Sequence, residues 1–590
     1  MKPKIFLPFL LSFYILNSTL YIDAQATVRY VSKTGSSTPP YTTWETAADS
    51  IMECINISVF GDTIYVANGT YKEQVVMIPG LSLIGAGMDS CVIDTRTLIQ
   101  PDGLTAITMV DSCIVIGFQI ILPNDEYSLG FISGSSWSIF ERNRIVGGPK
   151  GGALISSNIV VRENILDGQY DTGIHISGFS QSYHPIVEEN VFFNQSGYSI
   201  LVLFGTKPTI RNNIIYLDGN FAFGYLGGGS DTARIYDNLV IAENASTGIF
   251  NSTVPHLSFN NYLINNFQND GFVFGTTNNS VKNNVVTNSS KGFRTGVNPS
   301  SIFRYNNSWS NDVNYSGFTP DSTNLSVDPM IVNDDSTKGD FNFHLQKFSP
   351  LIDAGDPTIL DKDSTRSDIG LYGGPFGESY TYLDLAPRTP VNLNATLDSL
   401  TVGITWNKNT EADFNHYNVY RDTTKNFQID STNLFLSTPV SNLIDILPDY
   451  LTKIYYKITA IDNQGNESEP SEEVGFILTS VTDHQQTISD YRLYQNYPNP
   501  FNPSTKISYR LKERGYVKLY VYDIKGELIS VLVNKTQEAG FYEVEFVGNG
   551  LPTVQNNSDL ASGIYIYQIM VKNENNIPVF TDMKKMIYLK

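Results

Sequence analysis

Between residues 143 and 318 the chain alternates short apolar runs with Asn, Gly and Ser. The runs are too short for helices, and no i, i+3, i+4 apolar pattern is sustained. They keep step with an Asn that precedes apolar residues, at Asn143, Asn164, Asn190, Asn213, Asn238, Asn261, Asn284 and Asn307. The intervals are 21, 26, 23, 25, 23, 23 and 23 residues. About ten residues later comes Gly with an apolar or aromatic residue, as in Gly173-Ile174, Gly197-Tyr198, Gly248-Ile249, Gly271-Phe272, Gly292-Phe293 and Gly317-Phe318. This period predicts a β-solenoid: three short strands per turn need roughly 20–25 residues, and coils stack about 4.8 Å apart. An Asn repeated at one turn can donate to one neighbour and accept from the next, so the eight Asn are predicted to form a structural ladder.

The start of the chain carries Tyr30-Val31-Ser32, Tyr41-Thr42-Thr43-Trp44-Glu45, Gly61-Asp62-Thr63-Ile64-Tyr65-Val66 and Gly80-Leu81-Ser82-Leu83-Ile84-Gly85. These residues resemble the opening coils of the right-handed parallel β-helix, pectate-lyase-like superfamily. Residues 44–55 are predicted to be the amphipathic helix that caps the first coil, with Thr42 or Thr43 as N-cap. Ser349-Pro350-Leu351-Ile352-Asp353-Ala354-Gly355 and Ser367-Asp368-Ile369-Gly370-Leu371-Tyr372-Gly373-Gly374 resemble a closing segment. The β-helix is placed at 27–383.

The repeat stops after Leu385-Ala386-Pro387. Trp406, Tyr417-Asn418-Val419-Tyr420-Arg421 and Tyr455-Tyr456-Lys457-Ile458-Thr459-Ala460-Ile461-Asp462 alternate as half-buried strands. Residues 384–480 resemble a fibronectin type III sandwich, in which Trp406 is expected in the core. A linker at 481–490 follows. Tyr494-Gln495-Asn496-Tyr497-Pro498-Asn499-Pro500-Phe501-Asn502-Pro503, then Leu560-Ala561-Ser562-Gly563-Ile564-Tyr565 and Lys584-Lys585-Met586, mark 491–590. These motifs resemble the C-terminal sorting domain of the type IX (Por) secretion system. That resemblance implies passage through this machinery to the outer surface of a Gram-negative cell. The overall class is all-β: a solenoid and two small sandwiches.

Charge alters the picture of partners. Lys and Arg number 39 against 59 Asp and Glu, a net charge of -20, which excludes a general nucleic-acid binder. Residues 1–26 read as a signal peptide, with Lys2 and Lys4, an apolar run from Ile5 to Leu16, and an Ala24-Gln25-Ala26 cleavage site. No later stretch resembles a transmembrane span. Three cysteines make neither a disulfide framework nor a metal cluster. Cys91 and Cys113 both follow Asp-Ser, 22 residues apart, which reads as a further echo of the repeat.

For chemistry, alternate residues after the Gly-apolar step should face outward, giving His175, Ser199, Tyr225, Phe250, Val273 and Arg294. His175 and Arg294 are then five coils apart, about 24 Å, too far to act on one bond. The superfamily includes polysaccharide lyases and glycoside hydrolases, which need clustered carboxylates, Ca²⁺ or a base. The nearest constellation is Asp167, Asp171 and His175, followed by His184, Glu188 and Glu189. Asp361, Asp363 and Asp368 leave Ca²⁺ open as a cofactor, but they lack the EF-hand spacing, and no metal site is predicted. Tyr198, Tyr225, Phe250 and Arg294 are the candidate glycan contacts. Two readings stand: a surface protein that binds extended extracellular polysaccharide or acts as an adhesin or spacer, and a lyase or hydrolase with a divergent site.

Overall fold

The computed structural model describes residues 26–589 apart from 99–102, 126–127, 135–136, 149–150, 169–170, 179–182, 195–196, 204–205, 218–220, 226–232, 243–249, 253–255, 266–268, 275–279, 297–301, 335–340, 399, 449–452, 478–489 and 549–559. The signal peptide with Ala24, most of the linker and Gly248-Ile249 lie outside the described residues. The chain is all-β, with antiparallel sheets after the solenoid, and its described residues hold no helix long and apolar enough to cross a membrane.

Among the described residues, three parallel sheets of 12, 11 and 11 strands run along the solenoid. One coil shows the plan. Ile159–Arg162 lies in the first sheet, Ile165–Asp167 in the second and Thr172–Ile176 in the third. The next coil repeats it in register, with Val161 beside Val187, Leu166 beside Phe192 and Ile174 beside Ile200. All six are buried. Like stacks on like because the pleat repeats at the same position in every coil. Each such side chain contributes about 1.5–3 kcal/mol by leaving water.

The Asn ladder sits at the corner between the first and second sheets. The backbone N–H of Asn164 donates to Asn190 Oδ1 at 3.0 Å, that of Asn190 to Asn213 at 3.0 Å and that of Asn213 to Asn238 at 3.1 Å. Each side-chain amide also donates backwards, Asn164 to Phe140 O at 2.9 Å and Asn190 to Val161 O at 2.9 Å. The rung after Asn284 is Asn306, at 3.1 Å, and the ladder continues to Asn324. This corrects Asn307, which instead pairs in the strand with Val285 and bonds Val327 through its side chain. The left-handed residue before the rung decides the phase: Asn212, Asp237, Asn260 and Asn283 have φ between 50° and 55°, and in the last coil that residue is Tyr305. Asn and Asp tolerate this region best, which explains the doubled Asn of several coils.

The capping helix is shorter and later than predicted. It spans Ile51–Asn56, and Ser50 is its N-cap. Residues before it are held by the first strand instead: Ala48 N donates to Tyr30 O, and Ser32 N to Ala48 O. The Glu73 carboxylate accepts from Ser50 Oγ, Ile51 N and Met52 N, satisfying the helix start from the adjoining coil. The Cys echo is also not a coil repeat, since Cys91 opens a second-sheet strand and Cys113 precedes the first-sheet strand Ile114–Ile116. All three cysteines are free and buried.

Beyond the last coil the chain turns back along the outside. Ile331–Asn333 and Asn342–Leu345 pair antiparallel. With Leu351, Ile369 and Leu371 they cover Leu239, Ile241, Tyr262 and Val285 on the outer face of the second sheet. Residues 353–378 form a strap against the left-handed corner. Among the described residues, seven antiparallel strands in two sheets follow, from Asn394–Asp398 to Val474–Ile477, with Trp406 buried. Contacts divide the chain into two units near residue 477. The second has two antiparallel sheets sharing one core that includes Ile507, Leu519, Tyr567 and Met586.

Candidate functional site

The third sheet presents a long outer face, and register fixes which residues stand on it. Thr108, Ile132, Leu154, His175, Leu201, Gly224, Asn251, Val273 and Arg294 occupy one column. His175, Val273 and Arg294 are therefore placed as predicted. Ser199 is not: it is fully buried. Phe250 pairs with Phe223 and Phe272, and Tyr225 with Val202, in columns whose described members are buried. The side chains of Tyr225 and Phe250 lie outside the described set.

The cause of the phase error is steric. The corner into the third sheet is tight in most coils: a Cβ on Gly152 would lie 2.7 Å from Gly173 O, and one on Gly271 2.6 Å from Gly292 O. Ser199 and Ala222 fill this corner in their coils, so Gly197, two residues early, is a false marker.

Tyr198 stands half-exposed at the start of its strand. Its ring stacks on Phe221 at 5.0 Å and 15°. A Cβ at position 224 would meet Tyr198 Cε1 at 2.3 Å, so Gly224 lets the ring lie against the sheet. Burial and the charge of Asp171 raise the Tyr198 pKa, keeping its hydroxyl protonated. Further along the face, Arg294 donates to Asp270 Oδ2 at 2.6 Å, and Lys291 lies 3.7 Å from the other oxygen. The outer face thus offers aliphatic residues at Ile132 and Leu154, a flat aromatic pair at Tyr198 and Phe221, and a cationic end at Arg294.

Asp167, Asp171 and His175 do not form one centre. Asp167 closes a second-sheet strand and pairs with Arg144 at 2.5 Å, with Asn194 donating to its other oxygen at 3.1 Å. Asp171 is exposed before the third sheet, and its backbone oxygen accepts from Tyr198 N. His175 stands mid-strand on the third sheet. His184 is held by its backbone N–H to Asn158 Oδ1 at 2.6 Å, and Glu188 pairs with Arg211. Burial and the adjacent Glu188 and Glu163 raise the Glu189 pKa.

The closing-segment carboxylates serve their own turns. Asp361 accepts from Asp368 N and Gly374 N, Asp363 from Thr365, and Asp368 from Asp353 N and Tyr382 Oη. Among the described residues no group of three or more His, Cys, Asp or Glu is arranged to hold a metal. Sequence reasoning singled out this closing segment but not its return along the outside of the coils. A signal was available: the covered coils read Leu239-Val240-Ile241 and Val285-Val286, apolar on both faces, where the uncovered coil reads Ile165-Leu166-Asp167.

The family model described as "Right handed beta helix region" matches residues 80–240 and 154–308. The solenoid is therefore a right-handed parallel β-helix. No curated protein matches the chain. Among solved structures, the Azotobacter vinelandii mannuronan C-5 epimerase AlgE6 A-module is similar at 15% identity over 45% of this chain and 89% of that one, with a TM-score of 0.29. The Clostridium perfringens spore cortex lytic enzyme SleM is similar at 24% identity, over 18% of this chain and 31% of that one, with a TM-score of 0.13. The chicken CNTN1 FN1-FN3 domains are similar at 14% identity, over 35% of this chain and 67% of that one, with a TM-score of 0.13.

Proposed function

We propose that this chain is a secreted or cell-surface protein, exported by the type IX system, whose β-helix binds extended glycans along the outer face of its third sheet. The observation that carries the binding reading is the Tyr198–Phe221 pair, stacked at 5.0 Å, half-exposed, and seated over Gly224. A flat aromatic surface suits the apolar face of a pyranose ring, and Arg294 at the far end suits an acidic or hydroxyl-rich residue of the same polymer. Asp167 is already paired with Arg144 and lies on another sheet from His175, which favours binding over hydrolysis or elimination. Export is supported by the signal-like start and by the Tyr494–Pro503 motif with its Ala-Ser-Gly-Ile-Tyr partner.

Calorimetric titration of the purified chain with neutral and uronic polysaccharides tests this. The double substitution Tyr198→Ala, Phe221→Ala should weaken binding by about tenfold, the equivalent of about 1.4 kcal/mol. Undiminished binding by that variant, or none by the parent, rejects the site. New reducing or unsaturated chain ends in the same mixtures would replace the binding reading with a hydrolase or lyase.

A further inference from the structure

The strap at 353–378 lies along the column of left-handed corner residues, and the amides in that column hold it. Asn212 Nδ2 donates to Phe376 O at 3.4 Å. Asn260 Nδ2 donates to Asp368 O at 2.9 Å and to Gly370 O at 3.1 Å. Asn283 donates to Ser367 Oγ at 3.1 Å and accepts from Asp356 N at 2.8 Å.

Asp237 occupies the same position in the coil between Asn212 and Asn260. It is 4% exposed, and its Oδ1 has no hydrogen-bond partner among the described residues. An ionised carboxylate has no proton to donate, so it cannot do what the flanking amides do. A neutral carboxylic acid can.

The groups facing it set the balance. Arg211 comes from the preceding coil, but it is engaged by Glu188 and lies 4.5 Å from the Phe376 ring centroid. Lys362 and Asp361 come from the strap. Asp361 opposes a second negative charge, and it already accepts from Asp368 N and Gly374 N.

We infer that Asp237 is a proton-dependent latch: protonated, it holds the strap on the coils, and ionised, it loosens residues 359–376 and uncovers the apolar outer face of the second sheet. The chemistry around it agrees. Burial first, then Asp361, hold the Asp237 pKa well above the usual carboxylate range against Arg211 and Lys362. A group raised in the folded state stabilises fully below its unfolded pKa and loses that contribution as pH rises through its folded pKa. Burial likewise raises Asp361 and lifts Asp368 to about 6, so all three act in the same sense. Asp356 acts in the opposite sense: despite its burial, the Lys282 bond holds its pKa low, so its contribution weakens only in acid.

Hydrogen exchange of the Gly370 and Gly374 amides in the full chain, corrected for intrinsic rate, tests the latch. Protection in the parent should fall by about tenfold or more between about pH 5 and about pH 8. Asp237→Asn, a permanent donor of the same shape, should remove the larger part of the fall, and Asp368→Asn only a smaller part. A parent without the fall, an Asp237→Asn chain that falls as steeply, or a fall abolished by Asp368→Asn alone overturns the latch.

Discussion

A single amide at one corner of each coil performs several tasks. Asn213 accepts from Asn190 N and Nδ2, and its own Nδ2 donates to Val187 O, Arg211 O and Asn238 Oδ1. Replacing it with Ala leaves several buried groups unpaired, at about 1–3 kcal/mol each. Asn213→Ala should therefore lower stability by about 3 kcal/mol or more, seen as a lower urea midpoint with an unchanged slope. An unchanged midpoint would mean that the ladder is not structural. The ladder was legible because Asn is the neutral residue that can stack in this way, and its spacing survives variable loops. Asn307 was misread because the doublet offers two Asn, and only backbone conformation, left-handed at Tyr305, tells which one faces the neighbouring rung.

For whole elements, legibility depended on whether one local rule or several set the phase. Inward columns follow from alternation alone. The third-sheet face does not, because its corner takes Gly, Ala or Ser in most coils, and Gly197 mimics the marker. The strap was harder still: its partners are 73 to 164 residues distant in sequence, and apolar residues on both faces of the covered strands are the local sign of it. The candidate site was half legible. Tyr198 and Arg294 stand on the outer face, while Tyr225 and Phe250 take register positions of the buried columns. A further contact joins the β-helix to the sandwich after it. Arg388 binds Asp328 through both amino groups, at 2.5 and 2.9 Å, and Thr410 donates to the same carboxylate. Burial would raise the Asp328 pKa, but Arg388 outweighs it and holds it below the usual range. Arg388→Ala leaves this buried carboxylate without its counterion. It should cost about 3 kcal/mol, read as an earlier first transition in calorimetry of the full chain. The loss should shrink in acid, where Asp328 takes up a proton.

For the molecule as a whole, charge is divided unevenly. Residues 491–590 hold 12 Lys and Arg against 9 Asp and Glu, so they carry +3, and the rest of the chain carries -20 - 3 = -23. The proposed passage through the type IX machinery assigns the last segment a sorting task that its fold alone does not specify. Deleting residues 491–590 should leave the chain in the periplasm, as fractionation of producing cells would show. Arrival of the truncated chain at the surface would refute that assignment.

The strap also makes the two ends of the rod unequal in evolution. A stack whose coils repeat in register can lengthen by duplicating one coil, since each new rung meets the same neighbour. Where Asn212, Asn260 and Asn283 grip the strap, an extra coil would displace every grip by one pitch, and the strap would have to lengthen to match. Around Asn143 and Asn164, among coils that bear none of these grips, an added coil meets no such constraint. Length variants of this rod should therefore gain and lose coils near its amino-terminal half, with the strapped half fixed as a unit.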